Sequence, residues 1–112
     1  MFKEVDIHAD MPTADLAVRR VTYNLKNAKQ LGVTAIKFIH GWGSTGKGGV
    51  IRVRVRQYLG EQKRKGLVRE VICGEDFSIF DEATRRAFLA CGALRRDPDL
   101  ERGNNGVTIV VV

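Results

Sequence analysis

The spacing of apolar residues changes from segment to segment along this chain. "FKEVDIH", Phe2 to His8, alternates, with Val5 and Ile7 on one side, and reads as a strand. From Thr13 the period lengthens. Projected at about 100° per residue, Ala17, Val18, Val21, Leu25, Ala28 and Leu31 share one side of a helix, with Arg19, Lys26, Lys29 and Gln30 opposite. Thr13 is a natural cap for that helix, Asp15 suits its first turn, and Gly32 ends it. "VTAIKFIH" returns to a strand.

The next segment fits two patterns. "VIRVRVR", Val50 to Arg56, alternates like a strand, but Ile51, Val55, Tyr58, Leu59 and Gln62 also share a helical face, flanked by a stripe of Arg52, Arg56 and Lys63. The alternation stops at Arg56 while the helical face runs on for two turns, so a helix is expected. "LVREVIC" is a third strand. "SIFDEATRRAFLACG" is a short amphipathic helix capped by Ser78 or Asp81 and stopped at Gly92, and "VTIVVV" is a fully buried last strand. The expected fold class is α/β, in the order β-α-β-α-β-(α)-β, as a single domain over residues 1–112.

Composition narrows the classes. With 44% apolar and 29% charged residues, the chain has the balance of a soluble globular domain. No apolar run approaches the roughly 20 residues of a membrane helix, which argues against a membrane partner. Acids within the first ten residues argue against an export signal, and the isolated Cys73 and Cys91 read as reduced thiols. Together they predict a cytoplasmic protein. Charge is uneven: residues 41–72 hold eight Lys/Arg against two Asp/Glu, whereas residues 73–112 hold five against seven. A basic middle third suggests a polyanionic partner.

Candidate chemistry gathers at one sheet edge. His8 and His40 are the only histidines, and each ends a strand. A helical crossover makes two such strands parallel, so their C-terminal ends lie on the edge where ligands bind in open α/β sheets. Asp6, two residues before His8, leaves the strand on the same face. The stretch "FIHGWGSTGKGG" follows there and contains both G-x-G-x-x-G and G-x-x-x-x-G-K. Neither nucleotide reading holds. A Walker A loop needs Ser or Thr after its lysine, and Lys47 is followed by Gly48; a dinucleotide site needs further β-α units after Glu70.

These residues resemble the small MutS-related (Smr) domain family. "VDIHA" is similar to the family's L-D-x-H-G strand end, supplying Asp6 and His8 but with Ala9 in place of the usual glycine. His40, Gly41, Gly43, Ser44 and Gly46 match H-G-x-G-[ST]-x-G. Arg52 stands at the family's arginine of the second helix, and "GNNGVTIVVV" is similar to its terminal G-x-G-[IV]-T-x-V strand. The resemblance implies a two-layer sandwich with a four-stranded mixed sheet, similar to the C-terminal domain of translation initiation factor three. It also implies nucleic-acid binding, with nicking or endonuclease activity in some members. Residues 74–105 extend this minimal plan and are expected to form a lid over one sheet edge.

The mechanism expected from these residues is phosphodiester cleavage in RNA or in branched or single-stranded DNA. Asp6, His8 and His40 are the catalytic candidates, one histidine taking a proton from the attacking hydroxyl and the other protonating the leaving oxygen. Gly41, Trp42, Gly43, Ser44, Thr45, Gly46 and Lys47 are the candidates for holding phosphate and base at a helix N-terminus, with Arg52, Arg56 and Lys63 along neighbouring phosphates. No zinc signature is present; Mg²⁺ enters only if the substrate is DNA, where a water must be activated. The alternatives are a binding module without chemistry and, further off, a protein adaptor working through residues 74–105.

Overall fold

The Thr13 hydroxyl accepts a hydrogen bond from the Leu16 amide at 3.2 Å and starts α1, Ala14–Leu31, which ends where Gly32 turns left-handed at φ 72°. A computed structural model describes residues 1–42 and 47–112 of the chain, Lys47 and Gly48 by their backbone alone. Around α1 the order is β1 (Phe2–Asp6), α1, β2 (Ala35–Ile39), α2 (Lys47–Arg64), β3 (Glu70–Cys73), α3 (Glu82–Ala90) and β4 (Val107–Val111). The segment with two possible patterns is thus a helix. It buries Ile51, Val55 and Leu59, three residues of the face expected for it. Among the described residues no helix is long and apolar enough to cross a membrane.

The four strands form one mixed sheet in the order β1-β2-β4-β3. β1 and β2 are parallel, as a helical crossover requires, and β4 runs antiparallel to both neighbours. Alternation then assigns each face. Ile36, Phe38 and Val110 point to α1 and α2, where they meet Ala17, Val21, Leu25, Ile51, Val55 and Leu59. Ala35, Ile72, Ile109 and Val111 point the other way, to Phe77, Phe88 and Leu94. Each large apolar side chain buried in these clusters contributes about 1.5–3 kcal/mol.

The second cluster corrects one expectation. Residues 74–105 lie over a face of the sheet, not over an edge. Two short 3₁₀ turns, Gly74–Asp76 and Gly92–Arg96, flank α3, whose N-cap is Asp81, accepting from the Thr84 amide at 2.9 Å. The physical reason is the sheet itself: strands apolar on both sides need cover on both sides. A third, smaller layer is therefore added to the sheet and its two helices.

A buried lysine fastens that layer. Lys37 points to the second face of β2 and is 3% exposed. Its ammonium reaches Asp99 at 2.7 Å, Asp97 at 3.0 Å and Glu4 at 3.3 Å. Burial pushes its pKa down, but the hydrogen bonds to Asp99 and Asp97 outweigh it and hold the group above its ordinary value. Removing the cation leaves a buried carboxylate at Asp97 with no counter-charge. Lys37→Met should therefore destabilise the fold by about 3–5 kcal/mol, read from urea melts. Gly74 is a second sensitive point, because a Cβ there would overlap the backbone carbonyls of Asn104 and Val107. Gly74→Ala should cost about 2–3 kcal/mol in the same melts, whereas Gly92→Ala, with open space around it, should stay near the parent.

Candidate functional site

The site is built where β1 and β2 end side by side, tied by the Ile7 amide donating to the Ile39 carbonyl at 3.0 Å. His8 follows the first strand and His40 the second, as the crossover demands. The Asp6 carboxylate accepts from both the His8 backbone amide at 3.0 Å and His8 Nδ1 at 2.6 Å. An ionised carboxylate only accepts, so Nδ1 carries the hydrogen, and Nε2 has no hydrogen-bond partner among the described residues. Side-chain exposure is 34% for His8 and 48% for Asp6, so the pair stands at the surface.

The turn after β1 runs through Ala9 and closes at Met11. Asp10 and Met11 take left-handed φ values of 66° and 48°, and the Met11 amide donates to the His8 carbonyl at 3.1 Å. The Arg20 guanidinium, reaching across from α1, donates to the carbonyls of Ile7 at 3.2 Å and Ala9 at 3.0 Å. Arg20 thus holds the loop that presents His8.

Gly41, with φ 78°, is where the two strand ends meet. A Cβ at this position would come within 3.2 Å of His8 Cδ2, so the imidazole lies against glycine backbone. His40 lies beneath. It continues the side of β2 that carries Ile36 and Phe38, and it is 0% exposed. Its Nδ1 bonds the Gly41 carbonyl at 2.7 Å and its Nε2 the Thr108 hydroxyl at 2.8 Å. Thr108 also accepts from Arg56 Nε at 3.0 Å, which directs its own hydrogen to His40 Nε2. His40 is therefore the neutral Nδ1–H tautomer. Burial pushes its pKa down to about 4; the Gly41 carbonyl opposes this, and Arg56 and Arg52 add to it. The edge thus holds one accessible imidazole and one sealed imidazole with both nitrogens engaged.

The basic residues divide in the same way. Arg56 grips Glu75 through two bonds of 2.9 and 2.7 Å and donates to the carbonyls of Asn105 at 3.3 Å and Val107 at 3.2 Å. This guanidinium is spent inside the fold and holds the Glu75 carboxyl below its ordinary value. Among the described residues Arg52 instead makes one bond, of 3.2 Å to the Trp42 carbonyl. Trp42 itself is 60% exposed, with its indole edge 3.0 Å from where a Gly106 Cβ would stand. Lys63 is about 24 Å along α2 from the start of that helix, and it pairs with Glu70 at 3.4 Å. Residues 43–46, which include the candidates Gly43, Ser44, Thr45 and Gly46, lie outside the described residues, as does the Lys47 side chain.

The structure therefore brings Asp6, His8, Gly41, Trp42 and Arg52 together at one rim, sets His40 and Arg56 below it, and separates Lys63 from it. Thr108, Glu75 and Arg20 were missed from the sequence. Only Thr108 carried a signal: it is the one hydroxyl in an otherwise apolar strand, and such a group needs a partner. Among the described residues no cluster of three or more His, Cys, Asp or Glu side chains forms. What the rim offers is a proton acceptor oriented by a carboxylate, an exposed indole and a guanidinium.

A family model for the Smr domain matches residues 5–75, from β1 into the turn after β3. Among solved structures, the chain is similar to the Smr domain of Thermus thermophilus MutS2. The identity is 25% and the TM-score 0.59, over 97% of this chain and 95% of that one. No curated protein matches significantly.

The sealed imidazole makes stability depend on pH. The folded pKa of about 4 lies below the ordinary His value, so the unfolded chain binds the extra proton first. The stabilisation is complete above about pH 6.5 and is lost as pH falls towards 4, to an extent of about 3 kcal/mol. Thermal midpoints measured between pH 7 and 4 should fall accordingly, and the fall should flatten in His40→Gln.

Proposed function

This chain belongs to the Smr domain family, whose members bind and in some cases nick nucleic acid, and on that premise we propose that it binds single-stranded or branched nucleic acid along the rim of His8, Gly41, Trp42 and Arg52 and cleaves its backbone. One observation carries the reading: His8 turns Nε2 towards Gly41, unpartnered among the described residues, with Asp6 bonded to Nδ1. Trp42 stacks an unpaired base, a contact worth about 1–3 kcal/mol. Arg52 meets a phosphate, and Lys47 with the amides of residues 43–46 completes the anion site ahead of α2.

In RNA the adjacent 2′-hydroxyl attacks phosphorus and gives its proton to His8 Nε2, while the bond to the 5′-oxygen breaks; a 2′,3′-cyclic phosphate remains and the departing 5′-oxygen takes its proton from water. Asp6 fixes the tautomer that can accept this proton. In DNA a water replaces the 2′-hydroxyl, and a divalent ion would supply its activation. His40 is assigned a positioning role: it holds the Gly41 carbonyl, and with it the surface on which His8 rests. The second reading, binding without cleavage, is favoured by the same burial. With His40 engaged on both nitrogens, no second imidazole is free to protonate the leaving oxygen.

Binding and cleavage by the parent and three variants separate these readings, using labelled single-stranded RNA, duplex DNA and a DNA junction with and without Mg²⁺. Trp42→Ala should weaken binding by about 5- to 150-fold, and Arg52→Ala should lower the salt slope by about one. His8→Ala should keep the affinity and lose cleavage by about 10²–10⁴-fold. Full cleavage by His8→Ala removes the catalytic role. A parent that binds and never cleaves establishes the second reading, and a parent with no affinity removes both.

A further inference from the structure

Away from the rim, a cleft of about 200 Å³ opens between α1, α2 and the end of the chain after β4. Leu25, Val68 and Val112 line its apolar part, and Tyr58 forms a side. The Tyr58 hydroxyl is bonded to that of Thr22 at 2.8 Å, which fixes the ring and leaves its face for contact. Lys26 and Lys29 stand at the mouth, as does Gln62. Among the described residues neither lysine makes an ion pair, and Arg64 and Lys65 add positive charge where α2 ends, beside a Lys63 that is paired with Glu70.

Size and charge select the occupant. An apolar cavity of about 150 Å³ takes benzene, and drug-sized pockets begin near 300 Å³, so this cleft has room for one planar ring. A ring-sized apolar slot under a cationic mouth fits an aromatic body that carries an anion. The Gln62 amide can bond a polar ring edge, which a hydrocarbon chain lacks.

We propose that this cleft is a second nucleic-acid contact, taking one unstacked base of a single strand while Lys26 and Lys29 hold the neighbouring phosphates. The inference rests on the reading given under Proposed function. Tyr58 is six residues beyond Arg52, about 9 Å along α2, so the two contacts are distinct and a strand longer than a dinucleotide is needed to use both.

The test follows the methyl resonances of Leu25, Val68 and Val112 as adenosine monophosphate, inorganic phosphate or octanoate is added, beside the binding of an eight-nucleotide single-stranded RNA. Adenosine monophosphate should shift these methyls saturably and phosphate should not. The double variant Lys26→Ala with Lys29→Ala, both on the exposed side of α1, should weaken the mononucleotide and the octanucleotide at least fivefold. Trp42→Ala should leave the methyl shifts unchanged. Methyls that respond to octanoate in place of the mononucleotide overturn the proposal in favour of an aliphatic acid. Silent methyls, with octanucleotide binding still dependent on Trp42, overturn it and leave the rim standing. Methyl shifts with octanucleotide binding indifferent to Trp42 support the cleft and remove the rim.

Discussion

A polar relay crosses the helix-facing side of the sheet and sets most of what surrounds it. Glu75 takes two bonds from Arg56, Arg56 donates to Thr108, Thr108 to His40, and His40 to the Gly41 carbonyl. The relay joins α2, β4, the end of β2 and the turn after β3. Buried polar groups demand such completeness, because any one left unpaired costs its full desolvation. Neutrality of the imidazole follows from the same geometry, since two guanidinium groups stand nearby and solvent does not. The consequence for the rim is stiffness. Gly41 is held at its carbonyl by His40, and at its amide by donation to the Gly106 carbonyl at 3.0 Å.

Electrostatics at the surface are more restrained than a count of charges suggests. Residues 41–72 carry a large basic excess, yet Arg56 is neutralised by Glu75, Lys63 faces Glu70, and Arg54 pairs with Asp15 at 2.8 Å. Glu70 also binds Arg86, which with Lys63 holds its carboxyl below the ordinary value, so it stays charged near neutrality. Among the described residues the cations left facing water at the rim and at the cleft are correspondingly few. The stripe of Arg52, Arg56 and Lys63 on one helix thus divides among three separate tasks.

Much of the fold was legible in the sequence because local spacing decides it. α1 begins and ends at the cap and glycine expected of it, and the face of α2 that outlasted the alternation is the buried one. That both strand ends lie on one edge was legible too, since a helical crossover makes the two strands parallel. What escaped notice depends on pairings far apart in the chain. Arg56 is 19 residues from Glu75 and 52 from Thr108, and no periodicity encodes such bonds. The burial of His40 was within reach, as it continues the side of Ile36 and Phe38. So was the second-face layer: a strand apolar at every position from Val107 to Val111 except Thr108 asks for cover on both sides. The lone lysine in β2 pointed the same way, towards Asp97 and Asp99 of the later segment, which join Glu4 of β1 around it.

Trp42 is the chain's one tryptophan, and it stands in water at the rim while the two tyrosines, Tyr23 and Tyr58, lie on the helices. Its ultraviolet emission therefore belongs to a single place in the molecule. Whatever settles beside Gly41 and Arg52 alters the polarity around that indole and changes its colour or its yield. The protein thus carries an intrinsic optical reporter, and arrival at the rim can be timed by rapid mixing without attaching a dye.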